Sequence, residues 1–79
     1  MDLTLFRHLL DRACWQARSE YRLQPSEDAL NMALAKLRGI LNGCIVSARA
    51  MEGESGSQEM MAIARDVVEL HQQELVREG

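Results

Sequence analysis

The 79-residue chain has few aromatic side chains, one proline and two cysteines. Its aromatic residues are Phe6, Trp15 and Tyr21, so a core must be built from Leu, Ala, Val, Ile and Met. These residues favour helices, and β-branched residues are too scarce for a sheet. A chain this short makes one domain at most. The composition therefore predicts a single all-α domain over residues 1–79.

Features of secreted and membrane proteins are also scarce. Cys14 and Cys44 lie in no CxxC motif, which predicts two free thiols in a reducing compartment. The first residues have neither the basic start nor the apolar stretch of a signal peptide. We find no run approaching the roughly 18 apolar residues of a membrane span. We therefore expect a cytoplasmic protein that does not contact a membrane.

Motifs for catalysis and ligand binding are missing as well. His8 and His71 belong to neither an HxxxH nor an HExxH pattern. Gly53 and Gly56 lack the lysine of a phosphate-binding loop. His71 falls at helical spacing with apolar neighbours, which indicates a buried, hydrogen-bonded histidine. We expect no enzymatic activity, no metal, no cofactor and no small-molecule substrate.

Charge is distributed unevenly along the chain. Residues 1–50 carry seven Lys/Arg against five Asp/Glu, or +2, and residues 51–79 carry two against seven, or −5. The asymmetry favours attraction between the two parts, within one chain or between copies. The charge distribution, with a net charge of −3, argues against general nucleic-acid binding, because that function needs a basic surface.

The hydrophobic periodicity divides the chain into three helices. Asp2 is a candidate N-cap for a helix over about 3–23, and Pro25 ends it. The same proline opens a second helix over about 25–52, and a polar loop at Glu54–Ser57 precedes a third over about 56–77. A short loop predicts that helices two and three form an antiparallel hairpin, on which helix one packs. Because this core is small, we expect a helical bundle that dimerises.

The second helix carries the most regular apolar pattern in the sequence. Its spacings alternate between four and three over three heptads, as in the seam of a coiled coil. The residues of this seam are Leu30, Leu34, Leu37, Leu41, Cys44, Ala48 and Met51.

A second stripe on the same helix consists of small residues. Ala35, Gly39, Gly43 and Ser47 lie four residues apart. Each glycine inside a helix costs about 1 kcal/mol relative to alanine, which a close helix–helix contact would offset. We expect this stripe to meet helix one, a second copy or a foreign helix; the alternative is that the glycines mark a bend.

The first helix offers the best candidate surface for a partner. Arg12, Trp15, Arg18 and Arg22 lie on the side away from its apolar stripe, and a tryptophan ringed by arginines is typical of a binding hot spot. The alternative is that Trp15 packs at the edge of the bundle. These residues predict a non-enzymatic protein-interaction module, such as a co-chaperone of the type III secretion kind or an anti-activator.

The segment Ala29–Ala33 resembles the opening of the first helix in Rop, an RNA-binding hairpin that dimerises into a four-helix bundle. The resemblance implies an RNA-binding face on this helix, to which Asn31 would belong. However, Ala35 and Gly39 follow on that face, and neither side chain can clamp RNA. The alternative function is therefore an RNA-binding hairpin whose basic residues are Arg7, Arg12, Arg18, Arg22, Lys36 and Arg38.

Overall fold

A computed structural model describes the backbone of residues 2–78 and the side chains of residues 2–50 and 57–78. This described part contains two helices, α1 (Leu3–Leu23) and α2 (Glu27–Glu78), and no strand. The all-α prediction is thereby confirmed.

Helix α1 has the predicted bounds. The Asp2 side chain accepts hydrogen bonds from the backbone N–H groups of Thr4 and Leu5, at 3.0 and 3.2 Å. These bonds satisfy two of the donors that a helix leaves unpaired at its start. The helix ends at Leu23, and Gln24 has left the helical conformation directly before Pro25.

Helix α2 begins two residues later than predicted. The Ser26 hydroxyl accepts a hydrogen bond from the backbone N–H of Ala29 at 3.0 Å, so Ser26 is the cap and Glu27 the first helical residue. Pro25 therefore lies before the cap and outside the helix. Glu27 and Asp28 occupy the first turn, where their charges favour the positive end of the helix.

Helix α2 covers 52 residues, and a straight helix of that length would be about 78 Å long at 1.5 Å per residue. The longest extent of the molecule is 40 Å and its radius of gyration is 13.2 Å. Helix α2 is therefore not straight. We call residues 27–50 its first arm and residues 57–78 its second arm.

One core joins α1 with both arms. Cys14 of α1, Leu37 of the first arm, and Val68 and Leu75 of the second are fully buried members of the same apolar cluster. The predicted seam of the first arm faces this cluster: Leu37 and Ala48 are buried, and its other described members are half-buried.

The predicted turn lies mostly outside the described side chains. Of the expected loop Glu54–Ser57, only Ser57 is described in full, and it is a completely buried residue within α2 rather than part of an exposed loop. Met51, the last member of the seam, also lies outside the described side chains.

Candidate interaction surface

A buried arginine connects α1 to the second arm. Arg18 is 2% exposed, and its guanidinium donates hydrogen bonds of 2.7 Å to Glu74 and 2.7 Å to Glu78. A third bond, of 3.0 Å, runs to Nδ1 of His71. Arg18 Nε has no partner among the described atoms. The two carboxylates supply the negative charge that a buried arginine requires.

His71 is held between two residues of α1. Because a guanidinium can only donate, Nδ1 of His71 accepts from Arg18 and its proton resides on Nε2. That Nε2–H then donates to the Asp11 carboxylate at 2.7 Å. His71 is 3% exposed, in agreement with the buried, hydrogen-bonded histidine indicated by the sequence.

Trp15 lies at the border of this cluster, so both alternatives for it hold in part. The Trp15 ring is packed in part, because it forms a T-shaped pair with the His71 ring, with the two centroids 5.3 Å apart. The guanidinium carbons of Arg18 and Arg22 lie 4.0 and 5.2 Å from its ring centroid, within the range of cation–π attraction. Trp15 nevertheless keeps 38% of its surface exposed.

Two of the four residues predicted to bind a partner are therefore engaged within the chain. Arg18 is buried, and Arg22 donates a hydrogen bond to Glu78. The bonds from Arg22 and then from Arg18 lower the pKa of Glu78, and the bond to Glu78 raises the pKa of Arg22. Of the arginines predicted to surround an exposed Trp15, only Arg12 and the partly exposed Arg22 thus remain accessible.

A different feature of α1 was missed by the sequence analysis. Three leucines remain exposed on its outer side: Leu5 at 53%, Leu9 at 55% and Leu23 at 85%. They belong to a row with heptad spacing, which we call the α1 outer face. Its members, all exposed, are Leu5, Leu9, Arg12, Gln16, Ser19 and Leu23. The signal was present in the positions of the three leucines, because Leu5 and Leu9 lie four residues apart and Leu23 follows Leu9 by two heptads, opposite the core-facing stripe.

The small-residue stripe does not meet another helix of its own chain. Ala35, Gly39, Gly43 and Ser47 are all exposed. A Cβ atom added at either glycine would find no atom within 4 Å beyond its chain neighbours and the backbone of its own helix. Of the three neighbours expected from the sequence, helix one therefore does not pack closely on the glycines, and a contact with a second copy or a foreign helix stays a prediction. The stripe lies on the side of the first arm opposite the seam, and the seam already packs against the core.

A groove runs between α1 and the first arm. A cavity of about 290 Å³ lies there, with Ala17, Tyr21, Met32 and Ala33 in its lining. Lys36 forms an ion pair with Glu20 from the opposite wall, and Asp28 is the remaining charged residue of the lining. The groove is open to solvent, and its lining contains no cluster of residues typical of a catalytic site.

The two cysteines are not poised to react. Burial is the main cause that raises the pKa of Cys14 to about 11, and burial also raises the pKa of Cys44. Thiolates are the nucleophilic and metal-binding form of cysteine, so burial disfavours the reactive form of both residues. Among the described residues, no group of three or more His, Cys, Asp or Glu is placed to hold a metal ion.

One stretch meets the length and composition of a membrane span, contrary to the expectation from the sequence. It is Glu27–Ala50, with a mean hydropathy of 1.2 in its best window, of which 11% is buried in the molecule. Core helices of soluble proteins and signal sequences meet the same criteria, so the stretch is weak support for a membrane location.

Comparison with protein families, with characterised proteins and with solved structures finds no match to this chain.

Proposed function

We propose that this chain is a non-enzymatic interaction module that binds another protein through the α1 outer face. The observation that carries the proposal is the row of exposed leucines, Leu5, Leu9 and Leu23. Exposed apolar side chains that recur on one helical face are typical of a surface that another helix covers. Arg12 at the middle of the row makes no ion pair with a described side chain, and it is available to a partner.

We also propose the finer arrangement of the fold. The two arms of α2 fold back on each other as an antiparallel hairpin, with α1 packed across them. The support is the 40 Å extent of the molecule and the shared burial of Leu37 and Leu75 in one cluster. A bundle this small gains stability by pairing, so the module self-associates, with the homodimer as its smallest assembly.

The rival function, RNA binding, receives less support from the side chains. Of its six proposed basic residues, Arg18, Arg22 and Lys36 are each paired with a glutamate of the same chain. Pairing of this kind removes positive charge that phosphates would need. The cytoplasmic location and the kind of partner, whether a secretion substrate or a regulator, stay part of the proposal.

In the test, the immobilised chain captures a partner from an extract of the cells in which it is naturally made. The affinity of the purified partner for the chain is then measured. We expect Leu5→Ser/Leu9→Ser to weaken that binding by about tenfold or more, since each leucine contributes on the order of 1 kcal/mol or more when covered. The matched control is Val46→Ser, which alters another exposed apolar residue, on the first arm. Equal loss in the control, or capture of RNA that falls steeply with added salt, would contradict the proposal.

A further inference from the structure

The outer side of the second arm carries an acidic counterpart to the α1 outer face. Its exposed residues recur at spacings of three and four, and we call this row the second-arm outer face. Its members are Glu59, Ala62, Asp66, Glu69, Gln73 and Val76. Asp66 and Glu69, at its centre, form no ion pair with a described side chain, and no basic residue belongs to the row.

The α1 outer face has the opposite charge at the same place. Its only charged member, Arg12, lies near its centre, between the leucines at its two ends. The acidic residues of α1 are all engaged: Asp2 caps the helix, Asp11 accepts from His71, and Glu20 pairs with Lys36. An approaching acidic helix therefore meets a net positive face.

We propose that the α1 outer face of one copy binds the second-arm outer face of another copy. This inference rests on the proposed interaction function and names one occupant of its surface. Both rows have heptad spacing, so two such helices can pack side by side along their length. Because Arg12 is central in one row and Asp66 and Glu69 are central in the other, these charges meet in either direction of packing.

The contact joins two different surfaces, and this determines how copies assemble. Both helices pack on one core, so their outer faces point in different directions. One copy therefore uses its α1 to bind a neighbour and its second arm to bind another, in a head-to-tail arrangement. The α1 outer face runs for about 27 Å, from residue 5 to residue 23. A contact along one helix face of this length buries less area than a standard interface, which covers about 800 Å² per partner. The association is accordingly weak, rapid and dependent on concentration.

Charge reversal tests the contact directly. Arg12→Glu removes the basic centre, and Asp66→Arg/Glu69→Arg removes the acidic one. In analytical ultracentrifugation at low salt, we expect each variant to self-associate about tenfold more weakly than the wild-type chain, because like charges then face each other. Arg49→Glu, which reverses an exposed arginine on the first arm, is the matched control and should associate as the wild type does.

A mixture of the two variants provides the decisive result. The two reversed faces attract each other as the native faces do, and each variant also retains the native face that the other has lost. Equal amounts should therefore form a mixed complex about as strongly as the wild-type chain self-associates. Added salt should weaken this complex, because the charges are exposed. Circular dichroism melting shows whether each variant folds; where one does not, the neutral variants Arg12→Gln and Asp66→Asn/Glu69→Gln replace it, with smaller expected losses.

Three results would overturn the inference. They are a wild-type chain that stays monomeric at its highest soluble concentration, a mixture that associates no more strongly than either variant alone, and a loss in Arg49→Glu equal to that in Arg12→Glu. A monomeric chain that still binds its purified partner through Leu5 and Leu9 would refute this contact and the proposed self-association, and would leave the proposed binding of another protein intact.

Discussion

Arg18 is the single residue on which the packing of α1 against the second arm depends most. Its guanidinium serves two carboxylates, one histidine and one aromatic ring, all of which lose a partner when it is replaced. Breaking a buried ion pair costs about 3–5 kcal/mol. Because Glu74 and Glu78 reach solvent, the lower end of that range applies here.

We therefore expect Arg18→Met to lower the free energy of unfolding by about 3 kcal/mol, measured by urea denaturation. Arg18→Lys should recover only part of this loss, because lysine cannot donate to two carboxylates in the fixed geometry of a guanidinium. Arg12→Met is the control: it removes an exposed arginine of the same helix and should change stability by about 0.5 kcal/mol or less. Equal stability of Arg18→Met and wild type would refute the role of the buried arginine.

Glu78 gives the cluster a defined dependence on pH. Hydrogen bonds from Arg22 and Arg18 hold the pKa of Glu78 below its ordinary value of 4.5. A carboxylate whose pKa is lower in the folded state stabilises the fold above its unfolded pKa, and this contribution is lost as pH falls through the folded pKa. Stability due to Glu78 is thus fully present above about pH 5 and declines below 4.5.

The corresponding experiment compares urea denaturation of wild type and Glu78→Gln between pH 7 and pH 3. The wild type should be the more stable protein at neutral pH, and the difference should shrink as the pH falls below 4.5. Glu59→Gln, which alters an exposed glutamate with no described ion pair, should show no such convergence. A constant difference between wild type and Glu78→Gln across this range would contradict the assignment.

At the scale of helices, the glycines of the first arm reverse the expectation drawn from the sequence. The open space around Gly39 and Gly43 means that a methyl group at either position meets no neighbour in the same chain. Gly39→Ala and Gly43→Ala should then each raise the free energy of unfolding by up to about 1 kcal/mol, through helix propensity and a less flexible unfolded chain.

The measurement is thermal and urea unfolding of the two variants, with Ala35→Gly as the opposite change on the same exposed stripe. Ala35→Gly should destabilise by about the amount that the glycine replacements stabilise. If Gly39→Leu or Gly43→Leu instead lowers stability or abolishes self-association, another molecule packs on the stripe. In that case the contact with a second copy or a foreign helix, as the sequence predicted, is correct.

Local signals in the sequence account for the helices, and distant contacts account for the rest. Asp2 and Pro25 define α1 because capping and steric exclusion act within a few residues. The heptad seam predicts the core side of the first arm, because apolar residues at heptad spacing lie on one face of a helix. The burial of Arg18 could not be predicted, because it depends on His71, Glu74 and Glu78, more than 50 residues away in the chain. The α1 outer face could have been predicted, because its leucines have helical spacing in the sequence.

At the scale of the whole molecule, the ends of α2 must come close if the arms form an antiparallel hairpin. Asn31 and Gln73 are exposed residues near opposite ends of the helix. In a straight helix their 42-residue separation (73 − 31) would span about 63 Å. In the proposed hairpin, within a molecule whose shorter axes are 19 and 16 Å, the same residues would lie within roughly 20 Å of each other.

Pulsed electron resonance between spin labels at positions 31 and 73 distinguishes these cases. The labels are attached through Asn31→Cys/Gln73→Cys in a chain whose natural thiols are replaced by Cys14→Ala and Cys44→Ala. We expect a main distance near 20 Å with allowance for the linkers, at a concentration where the chain is monomeric. A pair at Asn31 and Val46, both on the first arm, is the control and should give about 22 Å in every arrangement, since the 15 residues between them form one helix. A distance near 63 Å for the first pair would refute the hairpin, and with it the shared core on which the Arg18 cluster depends.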